Sequence, residues 1–341
     1  MHARIWPAEV SIAAVLLAAG GMAMAVNIET VPVGNLGNAG ELSGSGAGGS
    51  GPDRICGAVD YEYRIGKYEV TAGQYCEFLN AVADTDTYGL YSANMWSNPQ
   101  GCKIQRSGSS GSYAYTVEAD GADRPVNYVS WGDAARFANW LHNGQPTTGV
   151  QDLTTTEDGA YYLNGATTEE ELMAVSREAD WKWAIPTEDE WYKAAYHMND
   201  GVTGNYFRYP TSTDSAPSND LVNPDPGNNA NFYQDGYTLG SPWFRTEVGE
   251  FENSESPYDT FDQGGNVREW NEAIWGSVQR GVRGGSFSDT GGLGASYRGF
   301  YGAPWGEDSR TGFRVSEVPE PGSMALLALA GLALIRRHRK H

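Results

Sequence analysis

The chain has 341 residues with a formal net charge of −20, only 19% charged residues, 12% aromatics and 44 glycines. Such an acidic balance argues against nucleic acid, whose phosphates would repel the body, and leaves carboxylates free for hard cations. Abundant Gly, Trp and Tyr with few charges suit a loop-rich body packed on aromatics rather than a bundle of long helices.

Residues 1–25 carry an early Arg4, an apolar run from Ile12 to Gly21 and Ala23-Met24-Ala25 as a small-residue cleavage site. This is the pattern of a secretory signal peptide, with the mature chain expected to begin at Val26. Residues 26–60 are expected to be a lead-in, because the Gly/Ser/Asn-rich stretch Val33–Pro52 contains SGSGAGGSGP. The folded domain is then expected over 61–317, about 290 residues remaining between the two processed ends, enough for one large domain.

Within it, Tyr61–Val70 alternates as a strand does, and Thr71 caps a helix whose Tyr75, Phe78, Leu79 and Val82 share one face. Ser92–Ser112 is polar and Gly-rich and reads as a surface excursion. Ser130 with Asp133, and Thr187 with Glu190, have capping-box spacing. The first helix should bury Ala134, Phe137, Ala138 and Leu141, and the second Trp191, Ala194 and Ala195. Tyr206–Pro257 has little periodicity, and an irregular segment that long in a compact domain needs something to tie it down.

The densest stretch is Asp262–Phe287, DQGGNVREWNEAIWGSVQRGVRGGSF. Gly264 and Gly265 permit a tight turn that aims carbonyls inward, and Asp262 and Glu269 bracket it. Calcium takes roughly six to eight oxygens from carboxylates and turned-in carbonyls, so the turn reads as a candidate calcium site. A plain Gly-rich turn beside a Trp core is the competing reading.

Cys56, Cys76 and Cys102 allow one disulfide at most, in any of three pairings. No C-x-x-C and no G-x-S-x-G nucleophile elbow occurs. Two histidines, His142 and His197, lie within the body, each at an expected helix end.

GGNVREW, RGGSF, Tyr297-Arg298 and Gly312-Phe313-Arg314-Val315 resemble the signature blocks of the formylglycine-generating enzyme (sulfatase-modifying factor) family. YRIGKYEVTAGQYCEFLNAV, RPVNYVSWGDAARFANWL and IPTEDEWYKAAY match its earlier blocks in the family's order. The resemblance implies an α+β, irregular, C-type-lectin-like single domain. It also implies two structural calcium sites. The first would use the side chains of Asn231 and Asp235 with the carbonyls of Phe232 and Tyr237. The second would use Asp262 and Glu269 with the carbonyls of Gly265 and Val267.

Family members that oxidise a substrate cysteine hold copper on two cysteines after the RGGSF block. The matching positions here are Asp289 and Ser296. Neither offers the soft thiolate that Cu(I) selects, so copper is not expected. Two histidines are too few for the three-histidine iron site of other branches. Since one fold hosts many activities, the expectation is a calcium-stabilised module that binds a glycan or a surface protein, with a residual oxidase as the alternative. The expected ligand face comprises Asp289, Ser296, Tyr297, Arg298, Tyr301 and Trp305.

Residues 318–341 open with Val318-Pro319-Glu320-Pro321, continue with an apolar run to Ile335 and end in Arg336-Arg337-His338-Arg339-Lys340. The tripartite pattern resembles the PEP-CTERM sorting signal of Gram-negative bacteria. It implies an exosortase as partner, transient anchoring in the inner membrane and an exported, surface or extracellular destination.

Overall fold

The computed structural model describes residues 25–318. The expected signal peptide and apolar tail lie outside these residues.

Two small sheets and three capped helices organise the domain. In chain order the elements begin with β1 (Thr30–Val33), β2 (Glu41–Ser43), β3 (Arg54–Cys56), β4 (Tyr63–Gly66) and α1 (Ala72–Val82). Next come α2 (Asn94–Ser97), β5 (Ile104–Ser107), β6 (Ala114–Val117), α3 (Trp131–His142) and α4 (Glu169–Ala174). Then follow β7 (Trp183–Ala184), α5 (Glu188–Tyr196), β8 (Arg268–Trp275) and β9 (Gln279–Arg283). The last are β10 (Phe300–Gly302), β11 (Thr311–Gly312) and β12 (Ser316–Glu317). One sheet has the order β1-β4-β12-β7, the other β10-β9-β8-β11, with β11 parallel to β8. The first sheet thus joins the two ends of the described chain.

The helices start where side chains satisfy the orphan N–H groups of a first turn. Thr71 accepts from the Gln74 N–H while Gln74 returns a bond to the Thr71 N–H. Ser130 with Asp133 and Thr187 with Glu190 do the same. A fourth box, Thr168 with Glu171 on α4, escaped the sequence reading because its helix is only six residues long. α1 and α3 meet through Tyr75, Phe78, Phe137 and Trp140, with Phe313 closing the cluster. Every residue expected on the inner faces of α1, α3 and α5 is buried.

Two expectations need correction. The Gly/Ser-rich lead-in is part of the body: β1 pairs with β4, and Ser50 bridges to Tyr297. Its glycines serve close approach, since a Cβ on Gly49 would lie 1.9 Å from the Ser296 carbonyl oxygen. Composition alone does not separate a linker from a strap that must press backbone against backbone. The Ser92–Ser112 excursion likewise sends Met95, Cys102 and Ile104 into the core.

Tyr206–Pro257 holds no helix or strand of its own, only isolated bridges. Asp225 is one of its ties. Its carboxylate accepts from the N–H groups of Gly227 and Asn253, the Asn229 amide and the Ser254 hydroxyl. Burial opposes ionisation there, but these donors hold the carboxyl below its ordinary value.

Candidate functional site

The turn before β8 is built on glycine. Gly265 has φ +103°, and a Cβ there would meet the Asn231 carbonyl oxygen at 2.4 Å. Asn266, next in the chain, donates its N–H to that same oxygen and accepts from the Asn231 amide and from Thr246. The irregular segment is thereby seated on the turn. On the far side Gly284 (φ +97°) lets the end of β9 come against the Gln263 carbonyl, 2.6 Å from where a Cβ would stand.

β8 then turns Glu269 inward, fully buried, against Arg314. Arg314 donates to Glu269 Oε2 at 2.5 Å and Oε1 at 2.8 Å, and Trp191 Nε1 donates to Oε2 at 2.7 Å. The same guanidinium serves the carbonyls of Gly66, Lys67 and Phe261. Three carbonyls and a carboxylate are a donor set of calcium type, and here Arg314 is the cation. Glu269 therefore does not fit the ligand role expected of it. Asp262 sits beside it with one oxygen accepting from the Gly249 N–H, and burial pushes its carboxyl up to about 6.

Of the first expected calcium set, Asn231 is buried with its Oδ1 unpaired, as an ion or water ligand would be. The Phe232 carbonyl already accepts from the Asn219 amide and the Thr238 hydroxyl. Asp235 and Tyr237 stand on an exposed turn. Among the described residues no group of three or more His, Cys, Asp and Glu side chains is arranged to hold a metal ion.

The positions matching the copper cysteines are filled by other chemistry. Asp289 takes both branches of the Arg268 guanidinium and the Ser286 hydroxyl. Ser296 is half-buried, its carbonyl accepting from the Gly44 N–H of the lead-in. The three cysteines are buried and unbridged. Cys76 and Cys102 belong to the α1–α3 core. Cys56 packs near Ala295, 3.4 Å from Arg283, with its thiol raised by burial and by Glu188. No pair of cysteines meets at the Asp289–Ser296 face, so the donor set for copper does not fit.

Arg298 and Tyr297 are also occupied. Arg298 is bidentate to Glu188 and donates to the Pro52 carbonyl, while Tyr297 packs on Phe300 with ring centroids 4.7 Å apart. Of the six expected face residues, Tyr301 (45% exposed) and Trp305 (57%) point outward. Trp275 packs against Tyr301 with ring centroids 4.3 Å apart and the planes tilted by 46°. Beside them lies a recess of about 230 Å³ whose lining includes Arg268, Trp270, Tyr301, Glu307 and Asp308. The Glu307 carboxyl is raised, first by desolvation and then by the charge of Asp133, though the residue itself is exposed. Sequence reasoning missed Arg268 and Trp275 because only the β8–β9–β10 pairing brings them to this rim.

The sulfatase-modifying factor enzyme 1-like domain matches residues 29–318. The chain belongs to this family. A PEP-CTERM protein-sorting motif matches residues 317–340, which marks an exported, surface-sorted protein processed by an exosortase. Among solved structures, CarF is similar at 21% identity and TM-score 0.51, covering 86% of this chain and 99% of its own. Treponema denticola variable protein 1 is similar at 18% and 0.53, covering 87% and 98%. PvdO from Pseudomonas aeruginosa aligns at 18% and 0.47, covering 85% and 94%. At these identities the likeness to CarF and to the Treponema denticola protein is one of fold. No curated protein matches. Among the described residues no helix is long and apolar enough to cross a membrane.

Proposed function

We propose that this sulfatase-modifying-factor-like domain is a surface-displayed binding module whose ligand is an extracellular polysaccharide. The observation that carries the reading is the exposed aromatic rim: Tyr301 on Trp275, with Trp305 outward, beside a polar recess. Sugar rings stack on aromatic faces and bond through hydroxyls to carboxylates and guanidinium groups. Exposed large apolar side chains gathered beside polar groups mark interaction sites. The recess is smaller than the roughly 300–1,000 Å³ of drug-sized pockets, which suits one ring of a chain rather than a whole cofactor.

An oxidase is the competing reading, since enzymes of this family use two thiolates at the positions of Asp289 and Ser296. The ion pair of Asp289 with Arg268 and the scattered, buried cysteines speak against it. The test uses the full chain. Binding to the host's extracellular polysaccharide should fall at least tenfold in Trp305→Ala and Tyr301→Ala, with melting temperature unchanged. Aldehyde formation on a cysteine peptide with copper and oxygen, lost when a native cysteine becomes serine, would replace this reading by the oxidase.

A further inference from the structure

Two recesses meet at the ridge of Tyr301 and Trp275. Tyr301 lines the smaller, of about 230 Å³. The larger, of about 470 Å³, is lined among others by Asp60, Tyr61, Arg298 and Ile274, the residue before Trp275. Contacts run from one to the other. The Arg298 guanidinium lies 5.9 Å from the Trp275 ring centroid, which is 4.3 Å from that of Tyr301. β8 serves both recesses, with Trp270 on the smaller and Glu272, Ala273 and Ile274 on the larger. Between the pairs Trp270–Val282 and Ile274–Arg280 four steps of β8 face two of β9. A bulge of this kind bends its strand and re-aims the side chains, so one strand can feed two recesses.

The larger recess has fixed walls. Arg298 holds both Glu188 oxygens and the Pro52 carbonyl, Arg54 holds both Asp189 oxygens, and the Tyr61 hydroxyl donates to Glu190. Side chains already tied in this way lose little freedom when a ligand arrives. Ile274 and Tyr61 add exposed apolar surface. Charge is one-sided in both recesses. Their guanidinium groups are matched in pairs, Arg54 with Asp189, Arg298 with Glu188 and Arg268 with Asp289. Asp60 and Glu307 pair with no cation among the described residues. The formal charge of −20 adds long-range repulsion of polyanions.

We propose that the two recesses are successive subsites for one polysaccharide chain, and that this chain carries no acidic groups. The proposal extends the binding-module reading and rests on it. One sugar ring packs on the ridge while its neighbours along the chain occupy the recesses. Asp60 and Glu307 accept from hydroxyls or amines. A uronate or sulfate would meet carboxylates with no free cation to offset it.

The host's extracellular polysaccharide, partly hydrolysed and separated by size, is titrated calorimetrically into the full chain. Wild type is compared with Asp60→Ala, Ile274→Ala, their double variant and Trp305→Ala, all at exposed positions, with melting temperature as the check on folding. Wild type should bind long fragments at least tenfold more tightly than short ones, because the second contact is made within one complex. The double variant should reduce long-fragment affinity to that of short ones, and the single variants carry the test if it does not fold. Trp305→Ala should weaken fragments of every length. Affinity should hold or rise with added salt, since screening relieves repulsion. Equal wild-type affinity for long and short fragments, or a length gain that survives in the variants of Asp60 and Ile274, would overturn the second subsite and leave the binding module standing. Affinity that falls steeply with salt would overturn the non-acidic chain. No fragment bound, or binding untouched by Trp305→Ala, would overturn the binding-module reading itself and this proposal with it.

Discussion

At the scale of the residue, Glu269 and Arg314 show how one side chain pair can displace an expected role. Both are fully buried, and Arg314 spends its donors on Glu269 and on the carbonyls of Gly66, Lys67 and Phe261. Removing one partner of a buried pair costs about 3–5 kcal/mol because the other charge is left uncompensated. Arg314→Leu should therefore lose stability on that order, read as a lower urea midpoint. A wild-type midpoint would mean that Glu269 finds another partner or a proton. The sequence made Glu269 visible as a functional carboxylate, but its partner lies forty-five positions on in the chain. Only the parallel pairing of β11 with β8, just before Arg314, brings the two together.

At the scale of the element, the capped helices were legible and the lead-in was not. Thr71, Ser130 and Thr187 each state their role within four residues, since a cap is a local hydrogen-bonding device. The segment from Val33 to Pro52 reads locally as a flexible tether, yet its backbone is fastened at a distance. Gly44 donates to the Ser296 carbonyl, Arg298 donates its N–H to Ser50, and the Arg298 side chain reaches Pro52. Deleting residues 26–52 should thus remove β1 from its sheet and uncover the Ser296–Arg298 backbone. The expected result is a truncated chain that melts well below the full one and is cleaved faster by protease. Equal melting temperatures would restore the tether reading. The same long-range logic separates the six expected face residues. Ser296, Tyr297 and Arg298 turn to the strap, while Tyr301 on β10 stays at the edge strand's outer face.

At the scale of the whole molecule, Glu188 is the hub that joins distant parts. It sits at the start of α5 and takes Arg283 of β9, Arg298 of the following loop and Arg54 of β3. Burial alone would raise its carboxyl, but the guanidinium groups of Arg283 and Arg298 outweigh this and hold it at about 2. A carboxyl lowered in the folded state adds stability above its unfolded value, near 4.3, and that stability is lost as pH falls toward the folded value. The domain should lose stability between about pH 4.3 and 2, and Glu188→Gln should flatten that part of the curve. A mutant with the wild-type slope would assign acid sensitivity to other carboxylates. Because the hub connects β3, α5, β9 and the face loop, its protonation should also loosen the lead-in.

The sequence by itself determined the class of the protein: the family, the exported destination through its sorting motif, the capped helices and their buried faces. These rest on local patterns, motif blocks of adjacent residues and helical spacing, which need no knowledge of what packs against them. The substitution of Asp289 and Ser296 for the copper cysteines is equally local, a matter of residue identity. Only the tertiary structure decided which carboxylates have partners. Glu69 and Glu269 are both glutamates followed by an apolar residue, and nothing near either one says whether it will find a partner. One lies under Arg314 and Trp191, the other lies alone. Charge compensation in a buried site depends on which distant side chain the fold delivers, and the cost of going without it is set by burial, which no short stretch of sequence contains.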